Sequence, residues 1–239
     1  MKKLWIAMFS IMAVIGLSQA AFALSTSELY DYGFNIDGTK YWNTTSGYGG
    51  PPGGSFATPL PSSVNTSGFD FTTGLGTISA TITGTGSHYF LALFNHDING
   101  DLDFLNETGS TIGSPSAGQS WQIGDASSGI YTNFMNNTLS NTNGIAANDG
   151  TLDAAMAMGW NFTLGAGQWA TLNFGVYPND PWSFEVIQYD PNLPEELHFG
   201  GTLAINGGGG PAVPEPSTFV LLGSALAGLG FFFRKRRNG

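Results

Sequence analysis

The chain has 239 residues and a formal net charge of −10, with 41% hydrophobic and 13% aromatic side chains, 35 glycines and no cysteine. Such a length, less its two terminal segments, suits one domain with its own core, and the missing cysteines exclude disulfides, thiolate nucleophiles and Cys-ligated zinc. Only Lys40 among the basic residues lies between positions 24 and 213, against 16 acids, so the body carries −15 and excludes nucleic acid and anionic lipid as partners, since both demand Lys and Arg.

The first predicted element is an export signal. Lys2 and Lys3 precede an apolar run from Leu4 to Leu17, and Ala21-Phe22-Ala23 forms a small-x-small end. Residues 1–23 therefore read as a signal peptide, recognised at Ala21 and Ala23 and cut after Ala23 by signal peptidase once the secretion machinery has engaged it.

Residues 25–67 are polar and glycine-rich without a sustained period, and read as loops with one or two short strands. Strand signals follow. Phe69 and Phe71 alternate with polar residues, as do Ile78, Ala80 and Ile82. The turn Gly84-Thr85-Gly86-Ser87 then leads into His88–Phe94, so this pair reads as a hairpin. Ser120–Gly124 is a short strand, and one helical turn is expected around Tyr131–Asn136. Ala155–Leu164 and Gln168–Tyr177, joined by Gly165-Ala166-Gly167, read as a second hairpin. Ser183–Tyr189 and Leu197–Ile205 are the last strands, and residues 207–212 form a glycine-rich tether. Short alternating strands without βαβ alternation predict an all-β domain over 24–206, an antiparallel, jelly-roll-like β-sandwich.

Catalytic motifs are absent: Gly-x-Ser-x-Gly, His-Glu-x-x-His and the P-loop do not occur, so the expectation is a protein that is not an enzyme, with a secreted hydrolase the least favoured reading. Two constellations remain. From Asn95 to Glu107, oxygen-bearing side chains recur at Asn95, Asp97, Asn99, Asp101 and Asp103 around Gly100. Hard cations take six to eight oxygens, so this string is a candidate calcium loop, although the twelfth position carries Asn106 and not the bidentate Glu of an EF-hand. The other reading is a solvated acidic loop whose Asx side chains cap turns. Tryptophans are the second constellation: Trp42, Tyr48, Trp121 and Trp182 stand in or beside loop-like sequence and are candidate platforms for a polysaccharide, against the plainer reading of core packing.

The last element is a three-part C-terminal segment over 213–237. Pro214-Glu215-Pro216 is held extended by its proline rings. Residues 219–233 are apolar and uncharged, and as a helix would rise roughly 22 Å against a hydrocarbon core of ~30 Å, with snorkelling stems closing much of the gap. Arg234, Lys235, Arg236 and Arg237 follow as a stop-transfer cluster. Motif, span and basic tail in this order resemble the PEP-CTERM sorting signal of Gram-negative bacteria, over about the last 25 residues and nothing upstream. The resemblance implies an exosortase that recognises Pro214-Glu215-Pro216, a transient membrane-spanning helix, and delivery to the envelope, cell surface or extracellular matrix. It also implies an association with exopolysaccharide and biofilm, in which the body would be structural or interactive, or else a glycan-binding module, with or without calcium.

Overall fold

The computed structural model describes residues 27–44, 59–98, 105–126, 129–145, 152–179 and 182–208. The signal peptide, the sorting segment, Tyr48 and the loop residues Asn99, Asp101 and Asp103 lie outside them. The elements are β1 (Ser27–Ile36), β2 (Thr39–Thr44), β3 (Val64–Asp70), β4 (Leu75–Thr83), β5 (Gly86–Ile98), β6 (Thr108–Gly113), β7 (Gln119–Asp125), α1 (Gly129–Met135), β8 (Thr142–Asn143), β9 (Ala154–Leu164), β10 (Gln168–Tyr177), β11 (Phe184–Tyr189) and β12 (Glu196–Gly207).

Two sheets face each other. One has the order β2-β1-β5-β9-β7-β8, the other β3-β4-β10-β12-β11-β6. The β7–β8 pairing is parallel; the other neighbours run antiparallel, as in β5–β9 and β10–β12. The period-two pattern explains the facing. On β10, Ala170, Leu172, Phe174 and Val176 enter the core, while Trp169, Thr171 and Asn173 point away from it. Aromatic rings from both sheets interlock inside: Phe90 meets Phe174 at 5.1 Å, Phe94 meets Phe199 at 5.0 Å, and Trp160 meets Phe174 at 5.4 Å between centroids.

The outer face of the first sheet is also apolar. Leu91, Leu93, Ala155 and Ala157 lie there, covered by Ile130, Tyr131 and Phe134 of α1. Asn35, buried on β1, fastens that cover: its side-chain amide donates to the carbonyls of Phe134 (2.8 Å) and Met135 (3.1 Å), satisfying the open end of a short helix.

Neither predicted hairpin is a hairpin. β4 pairs with β3 and β10, while β5 pairs with β1 and β9. β9 pairs with β5 and β7, and β10 with β4 and β12. The two glycine-containing turns are therefore corners that carry the chain from one sheet to the other. Alternation looks the same whether two apolar edges share a sheet or meet across the interior, so pattern alone does not choose. Gly84 and Gly86 sit at φ +109° and +129°, open to glycine and strained for other residues, which lets the chain turn this sharply. The corners nest: Gly86 stands opposite Leu164, and Thr83 opposite Trp169.

Other expectations shift less. The stretch read mostly as loop contains β1 and β2, and β6 carried no clear signal in advance. The β7 strand, the helical turn and the two final strands stand where expected, within a few residues.

Candidate functional site

The acidic string begins inside a strand. β5 continues through Ile98, so Asn95 and Asp97 are its last outward rungs and not loop residues; both are 1% exposed. His96 and Ile98, which alternate with them, turn toward the core. Asn95 stands opposite Asp31 on β1 and Ala155 on β9. Its amide donates to Oδ2 of Asp153 at 3.1 Å, and the Tyr131 hydroxyl donates to Oδ2 of Asp31 at 3.3 Å. Asn95 Oδ1, Asp31 Oδ1 and Asp153 Oδ1 have no hydrogen-bond partner.

A neighbouring group closes the end of the core. Glu107 accepts from the backbone N–H of Ile98 at 2.7 Å and from the side-chain amide of Gln188. That amide also donates to the His96 carbonyl at 2.8 Å. Burial pushes the Asp31 carboxyl up to about 6 and that of Asp153 up to about 7, and drives Glu107 well above the usual carboxylate range. Burial acts on His96 in the opposite sense, lowering it to about 4, because it penalises the charged form of either group. The cluster thus disfavours the charged form of the Asp31, Asp153 and Glu107 carboxyls. Among the described residues no three His, Asp or Glu side chains surround a point that could hold a metal ion. Of the calcium string's ligand candidates, Asn95 and Asp97 lie among the described residues.

The tryptophans divide by position. Trp42 on β2 lies over Gly33, where a Cβ would stand 2.3 Å from the indole, and meets Tyr131 edge-on at 5.1 Å and Phe134 at 6.0 Å. It belongs to the packing of α1. Trp121 on β7 packs on Phe184 at 6.0 Å, against the core. Trp182, just before β11, lies instead on the outer face of the second sheet, across Gly175 and Gly200. Trp169 on the same face is 43% exposed and was not singled out from the sequence. Its signal was available: it occupies the polar register of β10, in step with Thr171 and Asn173.

The histidines have structural partners. His88 Nδ1 pairs with Asp37 at 2.8 Å and its Nε2 faces the Gly84 carbonyl at 3.1 Å. His96 Nε2 lies 3.2 Å from the Gly74 carbonyl. His198 stands between the buried Glu185, at 2.7 Å, and Glu196, at 3.5 Å.

No curated protein and no solved structure matches the chain. Residues 212–237 do match a family model, the PEP-CTERM protein-sorting motif. The matched span takes in Pro214-Glu215-Pro216, the apolar run and the basic cluster Arg234–Arg237. Within the described residues no helix is long and apolar enough to cross a membrane, and the apolar run itself lies outside them. The C-terminal region is thus a PEP-CTERM sorting signal, which implies an exported protein whose processing partner is an exosortase.

Proposed function

We propose that this is a non-catalytic protein of the extracellular matrix. Signal peptidase removes residues 1–23, the run 219–233 anchors the intermediate in the inner membrane, and Arg234–Arg237 hold its tail in the cytoplasm. An exosortase recognises Pro214-Glu215-Pro216 and passes the β-sandwich outward, to the cell surface or an exopolysaccharide matrix. The observation that carries this reading is the motif match at 212–237. A body of charge −15 without cysteine fits an exported, soluble module that stays clear of anionic membranes.

Replacing Pro214-Glu215-Pro216 by three alanines should leave the protein in the membrane fraction with its tail attached, while wild type leaves that fraction trimmed. Fractionation with an antibody against the body and a tag after Arg237 reads both. Release and trimming of the variant at the wild-type rate would mean that the motif is not what the processing enzyme reads.

A further inference from the structure

The outer face of the second sheet combines two features: aromatic rings that contact glycines, and rows of uncharged residues between them. A Cβ at Gly207 would stand 2.7 Å from Cζ3 and 3.0 Å from Cε3 of Trp169. A Cβ at Gly200 would stand 2.4 Å from Cγ and Cδ1 of Trp182, and one at Gly175 would stand 2.8 Å from its Cζ2. Each indole is therefore in contact with bare backbone; Trp182 is half-buried, with the Tyr177 ring 6.4 Å away between centroids. Trp169 keeps 43% of its surface exposed in this pose.

From Gly200 to Gly207 the strand rises about 24 Å, at ~3.4 Å per residue. The residues facing outward between the two rings come from β4, β10 and β12 in register: Ser79, Asn173 and Thr202 form one row, and Thr81, Thr171 and Ala204 the next. Side-chain amides bond within and between the rows. Asn206 donates to Thr171 Oγ1 at 3.2 Å, and Asn173 to Thr202 Oγ1 at 3.4 Å. No charged residue stands in these rows. Between the two rings the face is an array of hydroxyls and amides, while the buried pair Glu185 and His198 lies beside Trp182, whose backbone N–H donates to Glu185 at 2.9 Å.

We infer that this face binds a neutral polysaccharide, laid along β10 and β12 with a sugar ring stacked on Trp169 and another on Trp182. The chemistry of the face selects that occupant. An aromatic face carries negative partial charge and attracts the weakly positive C–H face of a pyranose, while burying its apolar surface. Hydroxyl and amide rows can exchange hydrogen bonds with sugar hydroxyls along a repeating chain. An anionic ligand would meet a body of −15 with Lys40 as its one basic residue, and Lys40 belongs to β2 of the other sheet. A small molecule would want a concave pocket, and this surface is a sheet face. The inference rests on the matrix reading above, but its test is a binding measurement that does not depend on sorting.

The experiment uses the full chain, purified in mild detergent, with laminarin, mannan, dextran and hydroxyethyl cellulose as neutral probes and alginate as the anionic one. Affinity electrophoresis and tryptophan quenching by iodide read binding. The expected result is retardation by at least one neutral glycan, with Trp169 shielded from quencher, and no retardation by alginate. Trp169→Ala and Thr81→Glu should each weaken binding at least tenfold. Both positions are exposed, so their melting curves should overlay wild type. Absence of retardation by all four neutral glycans would overturn the inference, as would binding to alginate alone or wild-type affinity in both variants. None of these outcomes would bear on exosortase processing, which the triple-alanine variant reads in cells.

Discussion

Phe174→Ala should lower the melting temperature by roughly 6–20 °C. The side chain is fully buried on β10, and its ring touches Phe90 and Trp160 of the opposite sheet as well as Phe199 beside it. Truncation removes contacts from three neighbours that are themselves locked in the core, so the gap has little chance to collapse. Such changes cost about 3–5 kcal/mol, and in a domain of this size each kcal/mol is worth roughly 2–4 °C. Domains are stable by only about 5–15 kcal/mol, so the loss is a large share of the total. Circular dichroism melts of the two proteins side by side provide the check. A fall of less than about 2 °C would mean that the sheets do not meet at this ring.

Asp153→Asn should make the protein more stable than wild type at pH 8, by a few kcal/mol. The Asp153 carboxyl is pushed up to about 7, first by burial and further by Asp125, Asp31 and Asp97 nearby. Its Oδ2 accepts from Asn95 at 3.1 Å, while Oδ1 has no partner. A carboxyl whose folded pKa lies above its unfolded value near 4 contributes stability that is fully present below about pH 4 and lost as pH rises through about 7. Asp31, raised to about 6, and Glu107, raised by burial, act in the same direction. His96 opposes them. Lowered to about 4, it contributes stability above its usual 6.5 that is lost as pH falls toward 4. The wild-type profile is a sum of these opposing slopes, so the difference between variant and wild type is the informative quantity. Asparagine keeps an oxygen for the Asn95 amide and removes the charge. The gain should be present at pH 8, shrink through pH 6, and vanish or reverse by pH 4.5. Denaturant melts at the three pH values without divalent ions measure it. A variant that is less stable at pH 8 would mean that the native carboxylate is charged and partnered.

Both results rest on features that differ in how far the sequence shows them. The inward alternation of β10 is visible in Ala170, Leu172, Phe174 and Val176, and so is the outward register that places Trp169 beside Thr171 and Asn173. The partners of these strands are not visible. Ile78 and Phe90 sit in neighbouring segments with the same period, and the pattern is equally satisfied by a hairpin or by two sheets meeting face to face. Their meeting across the core depends on Phe174 and Phe199, some hundred residues away. Asn95 and Asp97 mislead for a related reason. Polar residues after an apolar strand read as loop, and the partners that Asn95 meets in its buried position, Asp153 and the Asp31–Tyr131 pair beside it, come from three other segments. The sorting signal was legible for the opposite reason: its three parts are contiguous in sequence, and recognition requires no distant residue to complete it.

Intact-mass spectrometry of the protein recovered from outside the cells of its native host reads export and the processing of both ends in one experiment. The expected species begins at Leu24 and ends close to Pro214-Glu215-Pro216, without the apolar run or Arg234–Arg237. Recovery of the chain only from the membrane or cytoplasm, with residues 219–237 still attached, would mean that no exosortase sorts this protein.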